Sequence, residues 1–249
     1  MNKTVLIKLS GESLSGSVGH GLDFDYIKKV CLEIKKIKDM GVNVGIVCGG
    51  GNFLRGRDAK EMDRETADYV GMLATVMNSL VLKDMFLQIG CQVYNQSGLS
   101  MDIIDNVDSN LAKNALKEGK IVVFGGGTGK PFFSTDTGAS LRAKDINASM
   151  IIKLTNVNGV YDKDPNKYSD AKMYDEVTYD TVIEKKLGVM DMEAITMCRD
   201  ENIKIVVMNI DTENGLVGLM NGEKIGTIVK EGINIGIISD FCYIILKIV

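Results

Sequence analysis

One histidine, His20, and no tryptophan stand among 249 residues, and there are only two prolines. A lone histidine excludes HExxH zinc chemistry and multi-histidine metal sites, and it leaves no Ser-His-Asp triad that does not use His20 itself. His20 sits between Gly19 and Gly21, where a plain loop residue is the expected reading. The five cysteines, Cys31, Cys48, Cys91, Cys198 and Cys242, are dispersed with no CxxC pair. An odd, scattered set predicts reduced thiols in a cytoplasmic chain, most of them small core residues. An excess of positive charge is missing too: 29 Lys and Arg stand against 33 Asp and Glu, for a net charge of −4. That argues against a nucleic-acid binder, which would carry a basic stripe. It leaves room for a phosphate-bearing small molecule held by backbone amides and a few cations. The start, Met1 to Ser10, predicts a strand and not a secretory leader. The most apolar stretch, Ile233 to Val249, is short for a membrane span and is interrupted by Asp240 and Lys247, so no membrane association is expected.

What is present reads as a globular chain with alternating elements. Hydrophobic residues make up 45% and charged residues 25%, which rules out an unfolded composition. Strands are predicted at Thr4–Leu9, Val42–Cys48, Cys91–Tyr94, Ile121–Phe124, Ser149–Leu154, Lys204–Met208 and Thr227–Lys230 from β-branched or continuous apolar runs. Helical spacing of apolar residues predicts helices after Asp23, over Arg64–Ile89 and Ser109–Lys117, from near Asp136, over Tyr179–Leu187 and Met192–Glu201, and over Asn214–Met220. A glycine-rich loop is expected between Gly11 and Gly21, and a polar loop over Thr155–Lys172. Strands that alternate with helices and are apolar on both sides predict a mostly parallel sheet covered on each face, an α/β three-layer sandwich. No linker divides the chain. One domain over 1–230, with an N-terminal and a C-terminal lobe, and an apolar extension over 231–249 is the expected organisation.

In open α/β sheets, ligands bind outside the carboxyl ends of the strands. Three glycine-rich loops fall there: Ser10-Gly11, Gly49 to Asn52, and Gly125 to Gly129. Glycine lets backbone N–H groups approach an anion with no Cβ in the way. One such loop is weak, since turns need glycine anyway; three at strand ends predict a site for several phosphates. The common nucleotide fingerprints fail. A Walker A loop would need Gly at Phe124 and Ser or Thr at Pro131, and the Rossmann GxGxxG pattern breaks at Leu54 and at Lys130. Lys8 lies near the end of an apolar strand, directly before Leu9-Ser10-Gly11-Glu12. It is either a solubility charge on an edge strand or a cation aimed at a phosphoryl group. The glycine turn that follows favours the second reading, because a lysine is costly to bury without an anion.

Lys8-Leu9-Ser10-Gly11-Glu12, Gly49-Gly50-Gly51-Asn52 with Arg55-Gly56, and Asn158-Gly159-Val160-Tyr161 leading to Asp164-Pro165 resemble the amino-acid kinase family. Asp68 to Asn78 and Thr128-Gly129-Lys130-Pro131-Phe132-Phe133-Ser134-Thr135-Asp136 are similar to its bacterial uridylate (UMP) kinase branch, and the resemblance runs from about Lys3 to Val229. It implies phosphoryl transfer from Mg2+-bound ATP to UMP by a cytoplasmic homohexamer. Lys8, Asp136 and Asp191 carry catalytic roles by this resemblance, although either aspartate also suits a helix N-cap. It maps Gly50, Asp68 and Thr128 to Thr135 onto UMP. It maps Lys8, Leu9, Ser10, Gly11, Gly51, Arg55, Thr155, Tyr161 and Asp164 onto ATP, and it implies no metal site built by the protein alone. Four departures stand out: Lys130 where relatives often have Asn, Asn158 where they often have Asp, Lys83 and Leu87 where GTP-activated members have Arg and His, and a longer tail. The competing readings are a carboxylate or carbamate kinase of the same superfamily and a non-catalytic nucleotide-binding protein. The first leaves Asp68 and Pro131-Phe132-Phe133 without a role; the second leaves Lys8, Asp136 and Asp191 without one.

Overall fold

The computed structural model describes residues 3–54 and 61–232; Arg55 and the apolar tail from residue 233 lie outside the described residues. In chain order the elements are β1 (Thr4–Leu9), a 3-10 helix (Gly11–Val18), α1 (Phe24–Asp39), β2 (Asn43–Cys48), α2 (Arg64–Gln88), β3 (Val93–Ser97), β4 (Asp105–Asn106), α3 (Ser109–Lys117), β5 (Ile121–Gly125), α4 (Thr135–Asp145), β6 (Met150–Thr155), β7 (Glu176–Thr178), α5 (Tyr179–Glu184), α6 (Met192–Asp200), β8 (Lys204–Asn209), α7 (Gly215–Met220) and β9 (Thr227–Lys230). The strands form one sheet in the order β4-β3-β5-β2-β1-β6-β8-β9-β7. Every pairing is parallel except β8 with β9. The expected α/β three-layer sandwich with a mostly parallel sheet is therefore what the chain adopts.

Side-chain alternation along the central strands builds the two outer layers. Val5, Ile7 and Leu9 of β1, Ile46 and Cys48 of β2, and Ile152 and Leu154 of β6 join one buried cluster with α1, α2 and α7. Leu6, Val47, Val122, Phe124 and Ile151 join the other with α3 to α6. Lys8 falls on the second face, one step beyond Leu6, and so does Lys153 beyond Ile151. The same alternation that packs the core thus points both lysines at α4.

Helix α2 is, among the described residues, long and apolar enough to cross a membrane by length and composition. Its apolarity has another account, since Ala67, Met72, Ala74, Val76, Leu82, Met85 and Phe86 are buried as it packs across β3 and β5. Asp63 caps it by accepting from the N–H groups of Glu65 and Thr66. The structure adds three features to the expected elements: the 3-10 helix inside the glycine-rich loop, and the short strands β4 and β7.

Candidate active site

A cavity of about 680 Å3 opens where the loops after β1, β2 and β5 meet the N-terminal ends of α2, α4 and α6. Close backbone packing shapes one wall. A Cβ at Gly11 would sit 2.5 Å from the carbonyl oxygen of Gly49 and 2.6 Å from the nitrogen of Gly51, so the loops after β1 and β2 touch main chain to main chain. A Cβ at Gly50 would sit 2.6 Å from the carbonyl oxygen of Gly71 and 2.8 Å from the Ala74 methyl, which fixes the second loop against α2.

On the opposite side stands the main charge cluster. Lys8 Nζ is 2.9 Å from Asp136 Oδ1 and Lys153 Nζ is 3.2 Å from Asp136 Oδ2. Lys153 donates a hydrogen bond to Asp136 and another to the Val189 carbonyl. Lys8 forms a close ion pair with the other carboxylate oxygen, so each oxygen of Asp136 faces its own ammonium group. Burial acts to raise the Asp136 carboxyl, but the two ammonium groups outweigh it and hold it below the usual carboxylate range. Burial pulls the Lys153 ammonium down, Asp136 pushes it back up, and the Lys8 charge adds to the fall, so Lys153 ends below the ordinary lysine value. On a cavity whose lining also carries Glu12, Asp68, Asp191 and Glu193, Lys8 and Lys153 thus form a local positive pair that shares one buried carboxylate.

Two helix starts add to it. Ser134 caps α4 by accepting from the N–H groups of Asp136 (2.9 Å) and Thr137 (3.1 Å). Asp191 caps α6 by accepting from Ala194 N at 2.8 Å. The caps are tied together, because the hydroxyls of Ser134 and Thr137 both donate to the Asp191 carboxylate. Asp191 is thus the N-cap, while Asp136 lies one residue into its helix and Ser134 takes the capping place. Helix N-termini carry partial positive charge, so both favour an anion here.

Asp68, on the first turns of α2, accepts from the backbone N–H of Phe132 at 2.8 Å and from Arg64 Nε at 3.1 Å. The Arg64 guanidinium also lies over the Phe132 ring, 5.9 Å from its centre. Phe132 holds a positive φ of 71°, which a non-glycine residue adopts only under local constraint. Both Phe132 and Phe133 are exposed toward the opening.

The cavity gathers Lys8, Ser10, Gly11, Gly50, Gly51, Asp68, Phe132, Phe133, Ser134, Thr135, Asp136 and Asp191 from the residues expected on sequence. Thr128, Gly129, Lys130 and Pro131 form the adjoining turn but not the lining; Thr128 Oγ1 accepts from Lys130 N at 3.2 Å. Leu9 has its side chain fully in the core and offers only backbone, its carbonyl accepting from Gly49 N. Thr155, Tyr161 and Asp164 lie off the cavity. Thr155 ends β6, Tyr161 forms an isolated bridge with Met173, and Asp164 closes a turn by accepting from Asn166 N at 3.0 Å. Arg55 lies outside the described residues. Lys153 and Thr137 were not expected. Lys153 carried the same signal as Lys8, a lysine near the end of an apolar strand, whereas Thr137 carried none.

The model of the amino acid kinase family matches residues 3–209 of the chain. Among solved structures, the UMP kinase of Bacillus anthracis is 34% identical, with a TM-score of 0.90 over 93% of this chain and 97% of its own. The UMP kinase of Ureaplasma parvum is 35% identical, with a TM-score of 0.87 over 93% of this chain and 100% of its own. The uridylate kinase of Archaeoglobus fulgidus is 27% identical, with a TM-score of 0.71 over 90% of this chain and 99% of its own.

Proposed function

The chain belongs to the amino acid kinase family, and we propose that it transfers the γ-phosphoryl group of ATP to UMP, giving UDP and ADP. Two similar chains, each more than 30% identical over nearly their full length, are UMP kinases, which supports this acceptor over a carboxylate or carbamate. The observation that carries the chemistry is the pairing of Lys8 and Lys153 with the single carboxylate of Asp136 beside the cavity.

The phosphate of UMP is already an anionic nucleophile, so the reaction needs no strong general base. Positioning and charge neutralisation do the catalysis. In this reading Lys8 meets the moving phosphoryl group, Asp136 holds Lys8 and Lys153 in place, and the N-terminal turns of α4 and α6 lend their partial positive charge to the phosphates. Gly50, Asp68 and Thr128 to Thr135 hold UMP, with Asp68 accepting from ribose hydroxyls. Gly11, Gly51, Arg55, Thr155, Tyr161 and Asp164 hold ATP.

No group of three or more metal-ligating side chains stands together among the described residues, and both site aspartates are already engaged. This donor set fits Mg2+ that arrives with ATP, and Asp136 and Asp191 would be the carboxylates to hold it. Bound there, the ion would supply neutralisation of phosphate charge. The same reading carries a cytoplasmic homohexamer; an exposed apolar stripe of Tyr69, Leu73 and Met77 along one side of α2 suits a face for self-association. A place in pyrimidine nucleotide synthesis follows from the reaction.

The test is a coupled ADP-release assay with Mg-ATP and a panel of UMP, CMP, carbamate, acetylglutamate and aspartate. UMP is expected to give the highest kcat/KM by a wide margin. Turnover with an amino acid or carbamate in its place, or none with any acceptor, would overturn the reading.

A further inference from the structure

Asn52 and Asn78 close the two motifs that frame the site, yet neither lines the cavity. Asn52 ends the Gly49-Gly50-Gly51 loop, and Asn78 lies ten residues along α2 from Asp68. Both are buried, at 3% and 0% exposure. They face each other as a reciprocal amide pair: Asn78 Nδ2 donates to Asn52 Oδ1 at 2.8 Å, and Asn52 Nδ2 donates to Asn78 Oδ1 at 3.0 Å. Each amide nitrogen has one hydrogen left. Asn78 gives its second to the Gly49 carbonyl at 2.7 Å, and Asn52 gives its second to the Gly21 carbonyl at 2.9 Å. The Asn52 carbonyl in turn accepts from Gly21 N at 2.8 Å. Flipping either amide would turn oxygen toward oxygen at the Gly49 or Gly21 carbonyl, so the pattern has one consistent orientation.

Three segments thus meet on one hydrogen-bonded ring: the end of the 3-10 loop, the glycine loop after β2, and α2. A fourth follows, since Gly49 N donates to the Leu9 carbonyl at 3.0 Å, next to Lys8. Thr75, one turn before Asn78, makes the matching bond to the third loop: its hydroxyl accepts from Gly126 N at 2.8 Å. One helix therefore sets two glycine loops with the residue types that can lock a backbone carbonyl and a backbone N–H in place. An apolar contact would bury the helix equally well without fixing where the loop atoms sit.

We propose that Asn52 and Asn78 are positioning residues for phosphoryl transfer, a clamp that holds Gly49 to Gly51 at a fixed distance from the Asp68 helix and hence sets the gap between the two nucleotides. The proposal rests on the UMP kinase reading, in which this loop stands between donor and acceptor. Misplacement of reacting groups by about 1 Å costs on the order of 10²-fold in rate. A loosened clamp therefore appears in kcat more than in either KM.

The experiment uses full-length Asn52→Leu, Asn78→Leu and the double variant, with kcat, both KM values and hydrogen exchange of the peptides that contain Gly49 to Gly51. Each single change is expected to lower kcat by on the order of 10- to 100-fold with both KM values within about threefold. The double change should fall no further than the worse single one, because either breaks the same ring. Exchange should rise in the loop while β1, β6 and β8 stay protected. Asn78→Asp keeps the volume and turns the nitrogen that donates to both Gly49 and Asn52 into an acceptor, and it is read in the same way if a leucine variant does not fold. Wild-type kcat in a folded single variant overturns the proposal, as do penalties that multiply in the double variant or a loss of rate that tracks protection across the whole sheet. A wild-type chain inactive on UMP would overturn the proposed function instead; loop exchange in the variants then decides the clamp, and unchanged protection there overturns it.

Discussion

Lys8 and Lys153 are register partners on the neighbouring parallel strands β1 and β6, and the carboxylate of Asp136 lies between their ammonium groups. Register partners on neighbouring strands point to the same face of the sheet, so two lysines at matching positions of two apolar strands would repel without a shared anion. Asp136 supplies that anion to both lysines at the wall of the cavity.

Replacing Lys8 with alanine removes the cation at the cavity while Asp136 keeps Lys153 as its partner. Loss of one such transition-state contact costs on the order of 10²–10³ in kcat. The expected outcome is that loss in Lys8→Ala with a circular dichroism spectrum like that of the parent. A folded variant with near-parental turnover would make Lys8 a charge of β1 and nothing more.

The Asp136 carboxyl is held below its ordinary value once the two ammonium groups have outweighed burial. Such a group contributes stability that is full above the unfolded pKa, about 3.9, and lost as pH falls through the lower folded pKa. The stability gap between the parent and Asp136→Asn should therefore be constant from neutral pH to about pH 4 and shrink below it. Urea unfolding at a series of pH values measures this gap. One that stays the same into strong acid would contradict the assigned direction.

Asp68→Asn keeps the side chain's shape and loses a charged acceptor. The cost of losing a charged hydrogen bond is about 1.5–3 kcal/mol, and it should fall on UMP, raising its KM on the order of 10- to 100-fold while the KM for ATP stays within about twofold. The Phe132 N–H now bound to Asp68 gives a second readout, because exchange in the Pro131–Phe133 segment should rise in the variant. A variant whose defect lies in ATP alone would mean that the two nucleotide sites are reversed.

Gly50→Ala puts a methyl against the Gly71 carbonyl and the Ala74 methyl, neither of which can swing away as a long side chain would. Overpacking of this kind costs about 1–3 kcal/mol. Thermal unfolding should show that cost together with a lower kcat, since relief moves either the loop or α2. An alanine tolerated in both respects would show that the loop is not pinned against the helix.

Most of the sheet could be read in the chain because its central strands are buried on both faces, and continuous apolar runs such as Thr4–Leu9 and Ile121–Phe124 mark that environment. The strands β4 and β7 escaped because two- and three-residue strands at the sheet's edges bury too little to leave a pattern. The 3-10 helix was hidden by its glycines, one of which, Gly16, breaks the helical dihedrals inside it. Within the site, Lys8 could be named from the glycine turn that follows its strand, and Asp136 and Asp191 from the resemblance of their segments to the family's motifs. Their grouping around Lys153 could not, because it depends on which strand lies beside β1. The tie between the caps of α4 and α6 was equally out of reach: Ser134 and Asp191 are 57 positions apart, and only packing brings them together.

Strand β1 also restricts how the gene can change. Val5, Ile7 and Leu9 face one layer and Leu6 and Lys8 the other, with no residue to spare between Thr4 and the turn at Ser10. Substitutions that respect polarity can accumulate there one at a time. A single-codon insertion or deletion within the strand upstream of Lys8, however, would put its two rows out of phase, setting the ammonium group against hydrocarbon and an aliphatic side chain at the cavity. Length variation among descendants of this chain should therefore be confined to outer turns such as 162–172, where the backbone can lengthen without moving the strand's phase.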